Sequence, residues 1–147
     1  MRIASALPGV LVAACLSAGC AGSPVAPSPS SPGSAVTASQ IEGTWNLQSL
    51  QPTGQAEQPA PVGARYALTF ADGRLSARAD CNTCNGASTL SGRVLTAGPA
   101  LACTRAACPT MAFEHAYTTL LGGDSTVAVS DGTLVLSSVR GILRFTR

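Results

Sequence analysis

Four of the six cysteines in this 147-residue chain fall between positions 81 and 108. They come as two tight pairs, Cys81-x2-Cys84 and Cys103-x4-Cys108, with eighteen residues between them. No other feature restricts the fold as strongly, because such a pattern is a set of cross-links or a metal site. In an oxidising compartment the cysteines pair. Each bridge closing a loop of this size then stabilises the domain by about 2–4 kcal/mol, chiefly through the unfolded chain. Four cysteines permit three connectivities, and spacing does not choose among them. A structural zinc site is the second reading, since the pattern approaches a zinc ribbon with a longer second knuckle. A redox-active Cys81-x2-Cys84 is the third. It requires a thiol pKa lowered by a helix N-terminus, whereas Asn85-Gly86 after Cys84 reads as a turn. Cys108 lies at a predicted helix start and is activated only if unpaired.

The N-terminal region decides among these by compartment. Met1-Arg2 is a minimal positive start, and Ile3 to Ala14 is uncharged and mostly apolar. That run is too short for a bilayer span of roughly twenty residues, but it suits the core of a signal peptide. Val12-Ala13-Ala14-Cys15 and Leu16-Ser17-Ala18-Gly19-Cys20 follow, and both resemble a bacterial lipobox. Cutting before Cys15 leaves a very short signal, so residues 1–19 are read as the signal peptide and Cys20 as the lipid-bearing residue. Residues 20–40 are rich in Pro, Ser, Ala and Gly, with no charge and no aromatic. Such a segment cannot bury enough surface to offset its ordering entropy. It is predicted to be a disordered tether with a reach of roughly 25 Å. Ala21 after the lipid cysteine suggests the outer membrane, facing the periplasm.

Residues 41–147 make one domain. Tyr66, Leu68 and Phe70 alternate with small or polar residues, the period of a half-buried strand. Asp72-Gly73 marks a hairpin, and Arg74 to Ala79 returns with its arginines facing out. Residues 51–64 read as a long loop, Ser91-Gly92 as a second hairpin turn, and Pro109 as the first turn of a helix. Phe113, Tyr117, Leu120 and Leu121 recur at helical spacing before Gly122-Gly123. Short strands over 126–129, 134–138 and 142–146 complete the pattern. The predicted fold is α+β, mostly β: a curved or barrel-like antiparallel sheet of seven or eight short strands with one packed helix.

Charge argues against several functions. All nine basic residues are arginines, against seven acids, and they are scattered along strands. A nucleic-acid partner requires a clustered basic face, so none is expected. The single histidine, His115, is predicted to face outward on its helix, and its neighbour Glu114 cannot face it. Neither a catalytic site nor a cofactor is expected. The cysteines gather Asp80, Asn82, Asn85, Thr104 and Arg105. Asn82 and Thr104 are read first as partners of loop backbone groups. The sharper reading is a recognition patch of Asn82, Asn85, Thr104 and Arg105, centred on Arg105.

A family resemblance joins these features. Gly43-Thr44-Trp45-x-Leu47, Leu68-x-Phe70-x-Asp72-Gly73, Cys81-Asn82-x3-Gly86, Thr104-Arg105-x-Ala107-Cys108, Glu114 and Gly132-x-Leu134-x-Leu136 together resemble a META/HslJ-type domain. The resemblance covers nearly all of 41–147. The family usually has an aromatic at Cys84 and a methionine near Ala106, and Cys103 is an added cysteine. The resemblance therefore implies bridges Cys81–Cys108 and Cys84–Cys103. It also implies a small β-rich domain in an envelope lipoprotein, in a family linked to heat response, antibiotic tolerance and secretion or motility but to no common reaction. The expected protein is a non-enzymatic, monomeric envelope lipoprotein. Its lipid holds it to the membrane, and its role is stress protection or binding of an envelope protein. The alternatives are a zinc or thiol-active module and a domain that binds a small ligand or inhibits a protease.

Overall fold

The structure, a computed structural model, describes residues 34–147. The expected signal peptide, Cys15, Cys20 and the tether up to residue 33 lie outside the described residues. After a single helical turn, α1 (Ala38–Ile41), come β1 (Gly43–Pro52), β2 (Gln58–Pro59), β3 (Tyr66–Ala71), β4 (Arg74–Ala79), β5 (Asn82–Ser91), β6 (Val94–Ala97) and β7 (Ala102–Cys103). The helix α2 (Met111–Leu121) follows, then β8 (Gly123–Ser130), β9 (Thr133–Ser138) and β10 (Gly141–Thr146).

Eight of these strands close an antiparallel barrel in the order β1-β3-β4-β5-β6-β8-β9-β10, with β10 returning to β1. Closure leaves the barrel without a free edge. β2 and β7 lie outside the ring, on β1 and β5. Alternation along the strands sends one side chain in two to the interior. Trp45, Leu68, Leu75, Ala77, Leu95, Val127, Leu134, Leu143 and Phe145 fill it, each at most 2% exposed. Each fully buried large side chain contributes about 1.5–3 kcal/mol. The interior is a packed core, so a ligand must be met on the outside.

Two hairpin turns follow from local chemistry. Asp72-Gly73 and Asp131-Gly132 hold φ of 51° and 70°, and of 46° and 73°. These are left-handed positions that Asp tolerates and Gly prefers. Three local expectations are overridden. Asn85-Gly86 is not a turn; it lies inside β5, paired with Ser76 and Leu75. Gly86 serves a close approach instead, since a Cβ there would lie 2.6 Å from Leu101 Cδ2. The loop expected over 51–64 contains β2, held by Ala60 N–H donating to Gln48 O at 2.8 Å. Pro109 precedes the N-cap Thr110 and is not in the first turn of α2.

The segment before residue 41 also belongs partly to the domain. Val36 N–H donates to Gly92 O at 2.9 Å, and Thr37 N–H donates to Gln40 Oε1 at 2.8 Å. Arg147 donates to Gln40 O and Glu42 O and lies 4.0 Å from the Trp45 ring centroid. α2 crosses one end of the barrel. Phe113 meets Tyr66 at 4.9 Å between ring centroids, and Tyr117 OH donates to Ala67 O at 3.0 Å. At the other end of the helix, Leu120 lies against Gly141. Among the described residues no helix is long and apolar enough to cross a membrane.

Candidate functional site

The start of β5 meets the loop 104–110 beside the N-terminus of α2, and two disulfides tie them together. Cys81 pairs with Cys108 and Cys84 with Cys103, the pairing implied by the family resemblance. Cys84 and Cys103 face each other directly across β5 and β7. With all four sulfurs bridged, none is a thiolate available to zinc or to thiol exchange without prior reduction. Among the described residues no group of three or more His, Cys, Asp or Glu could hold a metal ion.

Asn82 is the centre of the clasp, at 1% exposure. Its Nδ2 donates to Ala106 O at 2.9 Å and to both Glu114 carboxylate oxygens at 2.9 and 3.0 Å. Its Oδ1 accepts from Thr104 Oγ1 and from Ala106 N–H, each at 2.8 Å. One buried amide thus satisfies groups from the loop and from the helix. Beside it, Thr110 Oγ1 donates to Asp80 Oδ2 at 2.7 Å and accepts from Tyr66 OH at 2.7 Å. Burial holds the Tyr66 phenol above its ordinary pKa; the bond to Thr110 opposes this, and the charges of Asp80 and Glu114 add to it.

The residues of the expected patch do not share one surface. Asn82 is inside the clasp, and Thr104 turns to it and accepts from Thr83 N–H at 3.0 Å. Both act on loop backbone and on each other. Asn85 is exposed on β5, beside Ser76 and away from the clasp. Arg105 is exposed on the clasp loop. Period-two alternation separates Asn82 from Asn85, whose side chains leave opposite faces of the same strand.

A groove on the outer face of β1, β3 and β4 received no assignment from sequence. It encloses about 690 Å³, and Arg65, Arg78, Asn46, Thr69, Ser76 and Thr83 are among its lining. None of its lining residues is acidic. Register explains the grouping: Asn46, Ala67, Arg78 and Thr83 stand in one row across four strands. Thr44, Thr69, Ser76 and Asn85 form the next row. Arg65 continues the ladder by accepting from Asp80 N–H at 2.7 Å. It therefore stands diagonally from Arg78. Arg65 and Arg78 are thirteen positions apart and gave no sequence signal, because only the β3–β4 pairing brings them together.

Elsewhere on the surface, Ser49 Oγ donates to Glu57, which also forms an ion pair with Arg144 at 3.2 Å. The Ser49 bond, more than the arginine, holds the Glu57 carboxyl below its ordinary value. This cluster has no histidine or further acid and reads as an anchor for the loop that carries β2.

A closed eight-stranded antiparallel barrel, capped by one outside helix and clasped by two disulfides, defines a small β-barrel domain with a filled core. The chain belongs to the META domain family, whose model matches residues 38–147. It is similar to the NMR structure of a protein from Burkholderia xenovorans, at 23% identity and a TM-score of 0.63, over 86% of this chain and 94% of that one. A second NMR structure matches at 23% identity and a TM-score of 0.60, over 76% of this chain and 94% of the other. Both likenesses concern the fold. A comparison with curated proteins found no match.

Proposed function

We propose that the protein is a lipid-anchored component of a bacterial cell envelope whose META domain binds a partner or ligand and catalyses no reaction. The observation that carries this reading is the pair of disulfides, Cys81–Cys108 and Cys84–Cys103. Bridges of this kind persist in oxidising compartments, which agrees with a signal peptide ending before Cys20. The polar groups of the clasp support a structural part for it, since Asn82 bonds to Thr104, to Glu114 and to backbone, and Thr110 bonds to Asp80 and Tyr66. Anchoring through Cys20, on the periplasmic side of the outer membrane, makes the domain a tethered receptor or a protective module under envelope stress.

Intact mass of the protein recovered from membranes, with and without reduction, tests the reading. The expected result is a chain beginning at Cys20 with added acyl mass and a gain of four hydrogens on reduction. An unlipidated chain would overturn the anchor, and four thiols reactive before reduction would overturn the oxidised clasp. A second reading, binding of a small ligand, is favoured by the outer groove, one wall of which is formed by Ala60 and Ala64 from the proline-rich loop.

A further inference from the structure

The geometry points to the groove on β1, β3 and β4 as a binding site for a sugar that carries a phosphate or carboxylate group. This deepens the reading of the domain as a binding module and rests on it. Arg65 and Arg78 are diagonal neighbours on adjacent strands, about 7–8 Å apart at the backbone. Like charges so placed repel unless an anion stands between them. The nearest acid by register, Asp80, has its carboxylate bonded to Thr110 and ion-paired to neither arginine. The groove lining itself supplies no carboxylate, and the ion pair found among the described residues, Arg144–Glu57, lies elsewhere. Arg78 is already held, with its Nε donating to Asp80 O at 2.6 Å. That bond fixes the guanidinium plane and leaves both terminal nitrogens for an oxyanion, whose geometry the planar fork matches.

The floor identifies what the anion is attached to. Thr44, Asn46, Thr69, Ser76 and Thr83 present hydroxyls and an amide in two rows. Thr44 Oγ1 and Thr69 Oγ1 lie 2.9 Å apart, so the rows both donate and accept, as sugar hydroxyls do. A peptide would require apolar pockets for anchoring side chains, and the groove offers small alanines and the buried Leu47 in their place. Its one aromatic, Tyr66, is 4% exposed and gives no stacking platform, so charge must carry the affinity. The volume of about 690 Å³ suits a ligand of one or a few rings.

The test is an NMR titration of the full isotope-labelled chain with glucose 6-phosphate, galacturonate, inorganic phosphate and glucose. The expected result is saturable shifts at the amides of Thr69, Ser76 and Thr83 with both charged sugars, weaker shifts with phosphate and none with glucose. Arg65→Gln and Arg78→Gln each weaken binding by about tenfold or more with the spectrum otherwise intact, while Arg93→Gln changes nothing. Competition by phosphatidylinositol vesicles but not by phosphatidylcholine vesicles assigns the sugar to a lipid headgroup; no competition assigns it to a free sugar. Absence of saturable shifts, or unchanged affinity in the double arginine variant, overturns the site and leaves the anchor and the lack of catalysis standing. Equal binding of phosphate and glucose 6-phosphate overturns the sugar component. Release of phosphate from glucose 6-phosphate overturns the non-enzymatic reading and leaves the site in place.

Discussion

The side-chain amide of Asn82 bridges both carboxylate oxygens of Glu114, at 2.9 and 3.0 Å, and so joins the first residue of β5 to the first turn of α2. The same side chain bonds both backbone groups of Ala106. Replacing it with alanine leaves a carbonyl, an N–H, a hydroxyl and a carboxylate short of partners. Each buried group so orphaned costs about 1–3 kcal/mol, although water will reach some of them. Asn82→Ala is expected to lower stability by roughly 2–4 kcal/mol, read as a fall in urea midpoint at constant slope. Asn82→Asp should be worse at neutral pH than in mild acid, because it sets a second carboxylate against Glu114. A loss below about 0.5 kcal/mol in both variants would remove Asn82 from the centre of the clasp.

The two bridges are nested, with Cys84–Cys103 inside Cys81–Cys108, at sequence separations of 19 and 27. Cross-links of this reach restrict the unfolded chain by about 3 kcal/mol each when present alone. With the outer bridge intact, the inner one closes only the short remaining segments. The Cys84→Ser/Cys103→Ser double variant should therefore lose less stability than full reduction, about half as much. Thermal unfolding of the two forms in parallel checks this, and equal losses would mean that the outer bridge contributes nothing.

Much of the barrel could be read locally. Leu75, Ala77 and Ala79 alternate with outward residues, and Asp72-Gly73 declares its own turn. The closure of β1 on β10 could not be read, because Asn46 and Thr146 pair across nearly the whole domain and no local signal records it. Asn85-Gly86 misleads for a related reason: its local preference for a turn yields to pairing on both sides of β5 and to contact with Leu101. At the clasp, the cysteines announced the loop and Asn82 stood beside one of them. Glu114 and Thr110 were hidden because their roles depend on how α2 docks. Arg65 and Arg78 looked like solvated strand charges until register set them side by side.

Burial controls the alkaline limit of the fold. The phenols of Tyr66 and Tyr117 both have pKa values raised above the ordinary value of 10.0, each chiefly by burial. In the unfolded chain both would ionise near that ordinary value. A raised folded value means that the stabilisation is complete below pH about 10 and declines as pH rises above it. Urea midpoints should be flat toward pH 9 and fall between about pH 10 and pH 12, in step with phenolate absorbance on unfolding. Tyr66→Phe should reduce the slope without abolishing it, since Tyr117 remains. A midpoint independent of pH across this range would contradict the burial of both rings.

Gly141 is the point where the barrel closes beneath the helix. It begins β10 with φ of 146°, and a Cβ there would collide with Gln51 O and stand 2.9 Å from Leu120 Cδ2 and Pro52 Cα. Leu120 could rotate away, but Gln51 and Pro52 are backbone of the paired strand β1 and cannot move without breaking its register with β10. Alanine at this site therefore combines an unfavourable φ with overpacking against a fixed partner. Gly141→Ala is expected to lose about 2–4 kcal/mol, whereas Gly92→Ala, in an open turn with φ of 60° and nothing within 4 Å, should lose about 1 kcal/mol. Hydrogen exchange separates the two effects: Gly141→Ala should speed exchange along β1 and β10 together, and Gly92→Ala should act only near its own hairpin. Equal, local effects from the two variants would show that β1 and β10 do not close the barrel as a rigid pair.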